Sequence, residues 1–479
     1  MRTETRRGAR GVSRALVHEH ERGTAPRPRI LSPFLAGVFL ACGPGFLFAQ
    51  EPGTPVGESL TLSRAVSMAL ETHPVMGQAR AMEDAAAARV RQTRSARLPS
   101  MAAQGSLQRH QEPMVVAPLH GFDPMEPPSF DRSLVQGAVS VGYTLFDGGA
   151  RGARIQKAEA GEGAVEGGSE EAGMALVAQV SAAYLGILSE QELMDAVLGQ
   201  KEALEAELDR VRLFLEEGKA ARVDLLRVEA ALQSVRAREI SVRSNLDLAR
   251  GRLARLTGLE PEAVRRMPLT PLAPGDAPAP ALEASTAAAL DANPELDRVR
   301  KELSVARAGV REATAAWFPR VEANGRYSNF GTLDGGHVQE WQGSLQVSYP
   351  LFTGGARKGE RERARAEARG AAEALRLAEM EVEDRVEESL AQVRETGALR
   401  EALELAARQS AEVARIEALA LEAGAGVQTD FLRAQAELFH AQASLVQARH
   451  GEILARIQLA RVQGELSLQW IQENMEMDR

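Results

Sequence analysis

The chain has 479 residues, a formal net charge of −9, a pI near 5.6 and only 4% aromatic residues. That acidic balance offers no clustered basic face for phosphate backbones, so no nucleic-acid partner is expected. The single cysteine, Cys42, excludes an intramolecular disulfide and leaves thiol catalysis and a zinc cluster unsupported.

Residues 1–29 are Arg-rich and weakly apolar, Ile30 to Phe48 are mostly apolar, and Ala49 precedes a return to polar character. A basic stretch, an apolar stretch and a small residue describe a secretory signal, 1–49, cleaved after Ala49. A second reading is a lipoprotein signal, in which Phe39-Leu40-Ala41 precedes a lipidated Cys42. Past this segment no run of about 18 apolar residues is expected, and so no membrane-spanning helix.

An internal repeat organises the rest. Leu145-Phe146-Asp147-Gly148-Gly149-Ala150-Arg151 returns as Leu351-Phe352-Thr353-Gly354-Gly355-Ala356-Arg357, an offset of 206 residues (351 − 145). The same offset carries Gly218 to Gly424, Asp224 to Asp430 and Gly258 to Gly464. Upstream, His73-Pro74 matches Asn293-Pro294 at an offset of 220 (293 − 73), so the first copy carries 14 extra residues (220 − 206) between Pro99 and Leu145. The boundaries expected are a first repeat over 50–260, a Pro-rich extended linker over 261–281 that is neither helix nor core, a second repeat over 282–466, and a C-terminal tail over 467–479.

Within the first repeat, Leu62 to Arg97 has a helical pattern that ends before Pro99. Met101, Ala103, Gly105 and Leu107 then alternate with polar or small residues, as do Val135, Val139, Val141, Tyr143 and Leu145. In the second repeat Val321, Ala323, Gly325 and Tyr327 alternate in the same way, followed by Trp341, Leu345, Val347 and Tyr349. Period two with one apolar face predicts half-buried strands, about ten residues long and of membrane-spanning length. Aromatics cluster in or beside them, and Tyr143, Tyr327, Trp341 and Tyr349 are expected in an interfacial girdle facing outer-membrane lipid.

Gly149 to Gly218 lacks proline and predicts a helix of roughly 100 Å. The return helices show apolar residues at steps of three and four, a coiled-coil seam. Glu239 and Glu452 interrupt these seams at what reads as matching places, as register devices or solvated edges. Four strands leave two edges that a bilayer does not tolerate, so the sheet must be closed by copies of the chain. The predicted fold class is therefore mostly α with a small β part, a duplicated strand pair plus long coiled-coil helices.

Val180-Ser181-Ala182-Ala183-Tyr184, the duplicated Leu-Phe-(Asp/Thr)-Gly-Gly after the second strand of each half, and Asp224-Leu225-Leu226-Arg227-Val228-Glu229-Ala230 after the turn make the chain resemble the outer membrane efflux protein family, the TolC-like channels. The resemblance covers roughly Leu60 to Leu466. It implies a homotrimer with a twelve-stranded outer-membrane β-barrel and a periplasmic α-helical barrel, docked to a periplasmic adaptor (membrane fusion protein) and an inner-membrane pump. It implies a passive exit duct of a tripartite efflux or type I secretion system, without catalytic residues, cofactor or metal. The alternative is a periplasmic coiled-coil adaptor of such a system.

The resemblance also places the two helix-helix turns at the periplasmic tip. Gly218, Val223, Asp224, Leu225, Gly424, Val427 and Asp430 are the adaptor-docking candidates, with Asp430 and Asp224 as an aperture ring. The two aspartates have a second reading, as caps of the helices that follow. The family's second carboxylate, one turn later, is here Arg433, and Leu421 and Gly426 stand where it carries a constricting Tyr and Arg.

Overall fold

The computed structural model describes residues 59–119, 124–125, 127–273 and 278–476; the predicted signal and Cys42 lie outside them. The helices are α1 (Leu62–Thr72), α2 (Pro74–Arg94), α3 (Ala150–Glu216), α4 (Arg222–Thr257), α5 (Pro261–Arg266), α6 (Leu282–Ala292), α7 (Pro294–Ala315), α8 (Ala356–Glu422), α9 (Gln428–Gln463) and α10 (Leu468–Met475). The strands are β1 (Ser100–Val115), β2 (Phe130–Phe146), β3 (Arg320–Thr332) and β4 (His337–Ser348). The duplication is metric: α3 and α8 have 67 residues each, and α4 and α9 have 36 each. At 1.5 Å per residue the two long helices run about 100 Å.

Proline placement divides what the pattern suggested was one helix over 62–97. Pro74 has no N–H and takes the first helical position of α2, so α1 stops at Thr72. His73 caps α2 by accepting from the Val75 N–H at 3.3 Å. Asn293 does the same for α7, accepting from Glu295 N–H at 2.9 Å, and its amide donates to the Val462 carbonyl at 2.8 Å, which ties α7 to the end of α9.

The strands form one antiparallel sheet in the order β1-β2-β3-β4. Register aligns Met101 with Val141, Val139 with Tyr327, Tyr327 with Trp341, and Ala323 with Leu345. One face is thus apolar across all four strands, because cross-strand partners point the same way. The other carries Gln104, Ser140, Asn324, Arg326, Gln342 and Ser344. β1 and β2 are 16 and 17 residues long against 13 and 12 for β3 and β4, so part of the first copy's insertion lengthens its hairpin.

Three apolar cores hold the helices. The first gathers α1, the middle of α3, the ends of α4 and α9, and α10 around Tyr184, which is 0% exposed. The second joins α3, α4, α8 and α9 near the helix-helix turns through Val211, Val228, Leu421 and Phe431. The third joins α6, α7, α8 and α9 through Leu296, Val382, Leu390 and Leu459.

Three sequence expectations are corrected here. The Pro-rich segment is not outside the core: Pro261 opens α5, and Val264, Leu269 and Leu272 are buried in the first core. Leu60 pairs with Leu269 as a parallel bridge, and the Tyr184 hydroxyl reaches the Leu60 carbonyl at 2.6 Å and that of Thr270 at 2.8 Å. Proline punctuates that segment without excluding burial, since its missing N–H needs no partner. The stretch after 466 likewise holds α10, with Ile471 and Met475 buried, and Glu476 accepts from the Ser63 N–H at 2.8 Å. Finally, α3 does contain an 18-residue window of mean hydropathy 1.6, apolar enough to cross a membrane by composition; half of that window is buried within the chain, as befits a core helix.

The polar breaks are also unlike each other. At the offset of 206, Glu239 corresponds to Leu445 and Glu452 to Leu246, so they do not match. Glu452 is no solvated edge: it is 2% exposed and holds Arg400 at 2.7 Å and Arg456 at 2.9 Å. Glu239 is bonded to Lys201 at 2.8 Å, which keeps its carboxyl below the usual range.

Candidate functional site

Two regions carry the residues singled out in the sequence: the turns joining the long helices to the return helices, and the sheet with its strand-to-helix junctions. Each turn begins where a long helix stops. Gly218 (φ 72°) and Gly424 (φ 71°) take the left-handed conformation that L side chains rarely adopt. The Lys219 N–H donates to the Phe214 carbonyl at 2.7 Å and the Gly218 N–H to Leu215 at 3.0 Å. In the second turn the Ala425 N–H donates to Ala420 at 2.9 Å and the Gly424 N–H to Leu421 at 3.2 Å. These paired bonds satisfy carbonyls that the helix end would leave free.

The aspartates do not cap. The residues before α4 and α9 are Ala221 and Val427, with no side-chain cap, and Asp224 and Asp430 lie within the first turn. Their backbone N–H groups donate to the Ala221 and Val427 carbonyls at 3.0 Å. Their charge still favours the positive end of the helix. The two differ in environment: Asp224 pairs with Arg227 at 3.3 Å, whereas Asp430 is exposed and makes no ion pair among the described residues. Arg433, one turn on, is drawn to Glu437 at 2.8 Å.

Leu421 and Gly426 have packing roles. Leu421 is buried in the second core, and a Cβ on Gly426 would lie 2.8 Å from the Leu421 nitrogen, so the chain must be bare there to fold back. Val223 and Val427 are exposed at the turns, while Leu225 is half-buried against the second core. The structure brings the two turns to one end of the molecule. Arg210, held by Glu207 at 2.7 Å, donates to the Leu421 carbonyl at 3.2 Å and stacks on Phe214 at 5.3 Å. Glu207 and Arg210 were not singled out in the sequence; a charged pair three apart just before a predicted helix end was the signal available.

At the sheet, Trp341 is 79% exposed on the apolar face and Tyr327 is opposite it. Tyr349 lies just past β4, eight residues from Trp341 and on the same face, about 27 Å along an extended strand. That spacing, shortened by strand tilt, is comparable to the height of about 25 Å of the apolar band on a membrane barrel. Tyr143 is the first-copy equivalent of Tyr349, and each is followed by a Gly-Gly turn into a long helix. Among the described residues no group of three or more His, Cys, Asp or Glu is arranged to hold a metal.

The sequence profile of the family described as "Outer membrane efflux protein" matches residues 65–259 and 286–465, most of the chain. The alkaline protease secretion protein AprF of Pseudomonas aeruginosa is 27% identical over 311 residues, 61% of this chain. The match spans 62% of AprF, a little under two thirds of its length. The outer membrane protein TolC of Vibrio cholerae is 26% identical over 423 residues, covering 85% of this chain and 91% of that protein. Among solved structures, that of a membrane protein from Pseudomonas aeruginosa superposes with a TM-score of 0.73 at 22% identity, over 84% of this chain and 93% of that one.

Proposed function

Since the chain belongs to the outer membrane efflux protein family, an outer-membrane protein with its helices on the periplasmic side, we propose that it is the exit duct of a tripartite efflux or type I secretion system. The observation that carries this reading is the sheet. It has one continuous apolar face, one polar face and two unpaired edges, and each of its hairpins runs through a Gly-Gly turn into a 67-residue helix. Free edges cannot remain in hydrocarbon, so copies of the chain close the sheet. Two copies would make an eight-stranded barrel whose interior side chains fill it; three copies are the fewest that leave a passage. The polar face then lines a wet lumen.

The duct performs no covalent chemistry. Its tip is the gate, where Asp430 from each copy rings the aperture and favours cations, with Asp224 of the first helix-helix turn tied back to Arg227. Val223 and Val427, exposed beside Gly218 and Gly424, form with Leu225 the surface that a periplasmic adaptor grips, and that adaptor joins the duct to an inner-membrane pump.

The test is to fractionate the envelope of cells making the full chain, size the extracted protein by light scattering in detergent, and record its conductance in a planar bilayer. The expected result is an outer-membrane trimer whose cation preference falls in Asp430→Asn. A soluble or inner-membrane monomer overturns the duct.

A further inference from the structure

The two strand-to-helix junctions differ in one way that points to a ligand. In the first, Arg151 stacks on Tyr143 at 5.8 Å, and its guanidinium is held by Asp147 at 3.2 Å and by the Ala96 and Leu145 carbonyls at 3.4 Å. Asp147 also accepts from the N–H groups of Gly149 and Arg151, so charge and donors are satisfied within the chain. In the second, Arg357 keeps the place of Arg151 and Tyr349 that of Tyr143, but Thr353 replaces Asp147 and Arg361 replaces Ile155. Arg357 and Arg361 lie over Trp317, each at 4.9 Å, and Arg357 also over Tyr349 at 5.6 Å. Nε and Nη1 of Arg357 and Nε of Arg361 are shielded from solvent and have no hydrogen-bond partner.

Two cations therefore stand side by side in the first two turns of α8, at the positive end of its dipole, with buried donors unmatched. Each circumstance disfavours them. An anion that accepts from both would remove all three costs, and the planar guanidinium fork matches phosphate oxygens. The location identifies the source. Tyr349 continues the apolar face of Trp341, Leu345 and Val347, so the pair sits at the periplasmic margin of the lipid-facing surface. Both arginines stack on Trp317, just past the end of α7, the helix that packs beside α8 within the same chain. We propose that Arg357 and Arg361 bind the phosphodiester of a glycerophospholipid headgroup in the periplasmic leaflet of the outer membrane. The site rests on the barrel reading above. It anchors the second half of each chain at a fixed depth, whereas in the first half Asp147 supplies the matching negative charge from within the chain.

The experiment uses the full chain extracted from the outer membrane in mild detergent, comparing wild type with Arg357→Gln/Arg361→Gln. Retained phospholipid is counted by native mass spectrometry, and the melting temperature is followed on adding phosphatidylglycerol or, separately, inorganic phosphate. The wild type is expected to retain lipid and to be stabilised by phosphatidylglycerol and not by inorganic phosphate. The double variant is expected to bind about tenfold more weakly or worse, the loss that follows from charge-assisted hydrogen bonds. Arg357→Lys/Arg361→Lys, which keeps the charge and loses the fork, should fall between them. Equal retention in wild type and variant overturns the site, as does an equal response to inorganic phosphate. A variant whose oligomer dissociates with no dependence on lipid also overturns it, in favour of a carboxylate from a second copy. A chain that never reaches the outer membrane fails the barrel reading before the lipid assay begins.

Discussion

Tyr184→Phe tests whether the segment between the halves is held as part of the helical core. The phenol is fully buried and its single proton is shared between the Leu60 carbonyl at 2.6 Å and the Thr270 carbonyl at 2.8 Å. Burial pushes the hydroxyl pKa well above the ordinary tyrosine range, so it remains a donor throughout the usable pH range. Phenylalanine keeps the ring in the first core and removes only the donor. The Leu60 carbonyl still accepts from the Thr270 N–H at 3.1 Å, so the acceptor left alone is that of Thr270. A stranded buried acceptor costs about 1–3 kcal/mol, and partial exposure of Thr270 puts the expected value at about 1–2 kcal/mol. Because the loss is local, hydrogen exchange reads it better than global melting does. The Leu60 and Thr270 amides, which donate to Pro268 and Leu60, should exchange about 5–30-fold faster, with the second core unchanged. Unchanged protection at these amides would refute the clamp; equal loss at Phe431 and Val228 would show that Tyr184 supports the whole bundle instead.

Glu192 on α3 accepts from His450, at 3.2 Å, and from Arg449, at 2.9 Å, both on α9. The His450 hydrogen bond holds its carboxyl below the usual range, so its stabilisation is present above the unfolded carboxylate pKa and lost as pH falls through the folded value. Glu192→Gln should therefore be less stable than wild type at neutral pH by about 0.5–1 kcal/mol, discounted because Glu192 and Arg449 are each 37% exposed, with the gap closing in acid. Denaturant titrations across pH check this, and a gap that persists into acid refutes it. On the sheet, Leu345→Arg should reduce insertion into vesicles at a cost of about 2–4 kcal/mol if it lies near the bilayer midplane, whereas Ser344→Arg on the polar face should insert normally. Equal insertion of the two would refute the assignment of faces.

Much of this fold is legible in the sequence because its signals are local. Alternation in Val321 to Tyr327 and Trp341 to Tyr349 sets the face of β3 and β4, and Gly218 and Gly424 mark helix ends through a φ that other residues avoid. What is not legible depends on distant partners. Six prolines between 261 and 280 suggest an extended linker, yet Tyr184 and Leu60 bind that segment from far along the chain. The tip aspartates look like caps because nothing local shows that Ala221 and Val427 begin the helices. The exchange of Asp147 for Thr353 is visible in the repeat, but its consequence for Arg357 depends on Trp317, forty residues earlier.

The two halves keep their lengths and change their seams, and the proposed duct accounts for both. One residue added to α8 alone would displace its end by about 1.5 Å and rotate it by about 100°, carrying Leu421 out of the second core. The equal 67- and 36-residue spans are thus a geometric requirement of a level tip. The seams need not match, because the surroundings differ. Helix α7 packs against both α3 and α8, whereas α2 packs along α3 alone among the long helices described. Leu246 can be an apolar core residue while its equivalent Glu452 is enclosed with Arg400 and Arg456. The duplication supplied the scaffold, and each half then met different neighbours.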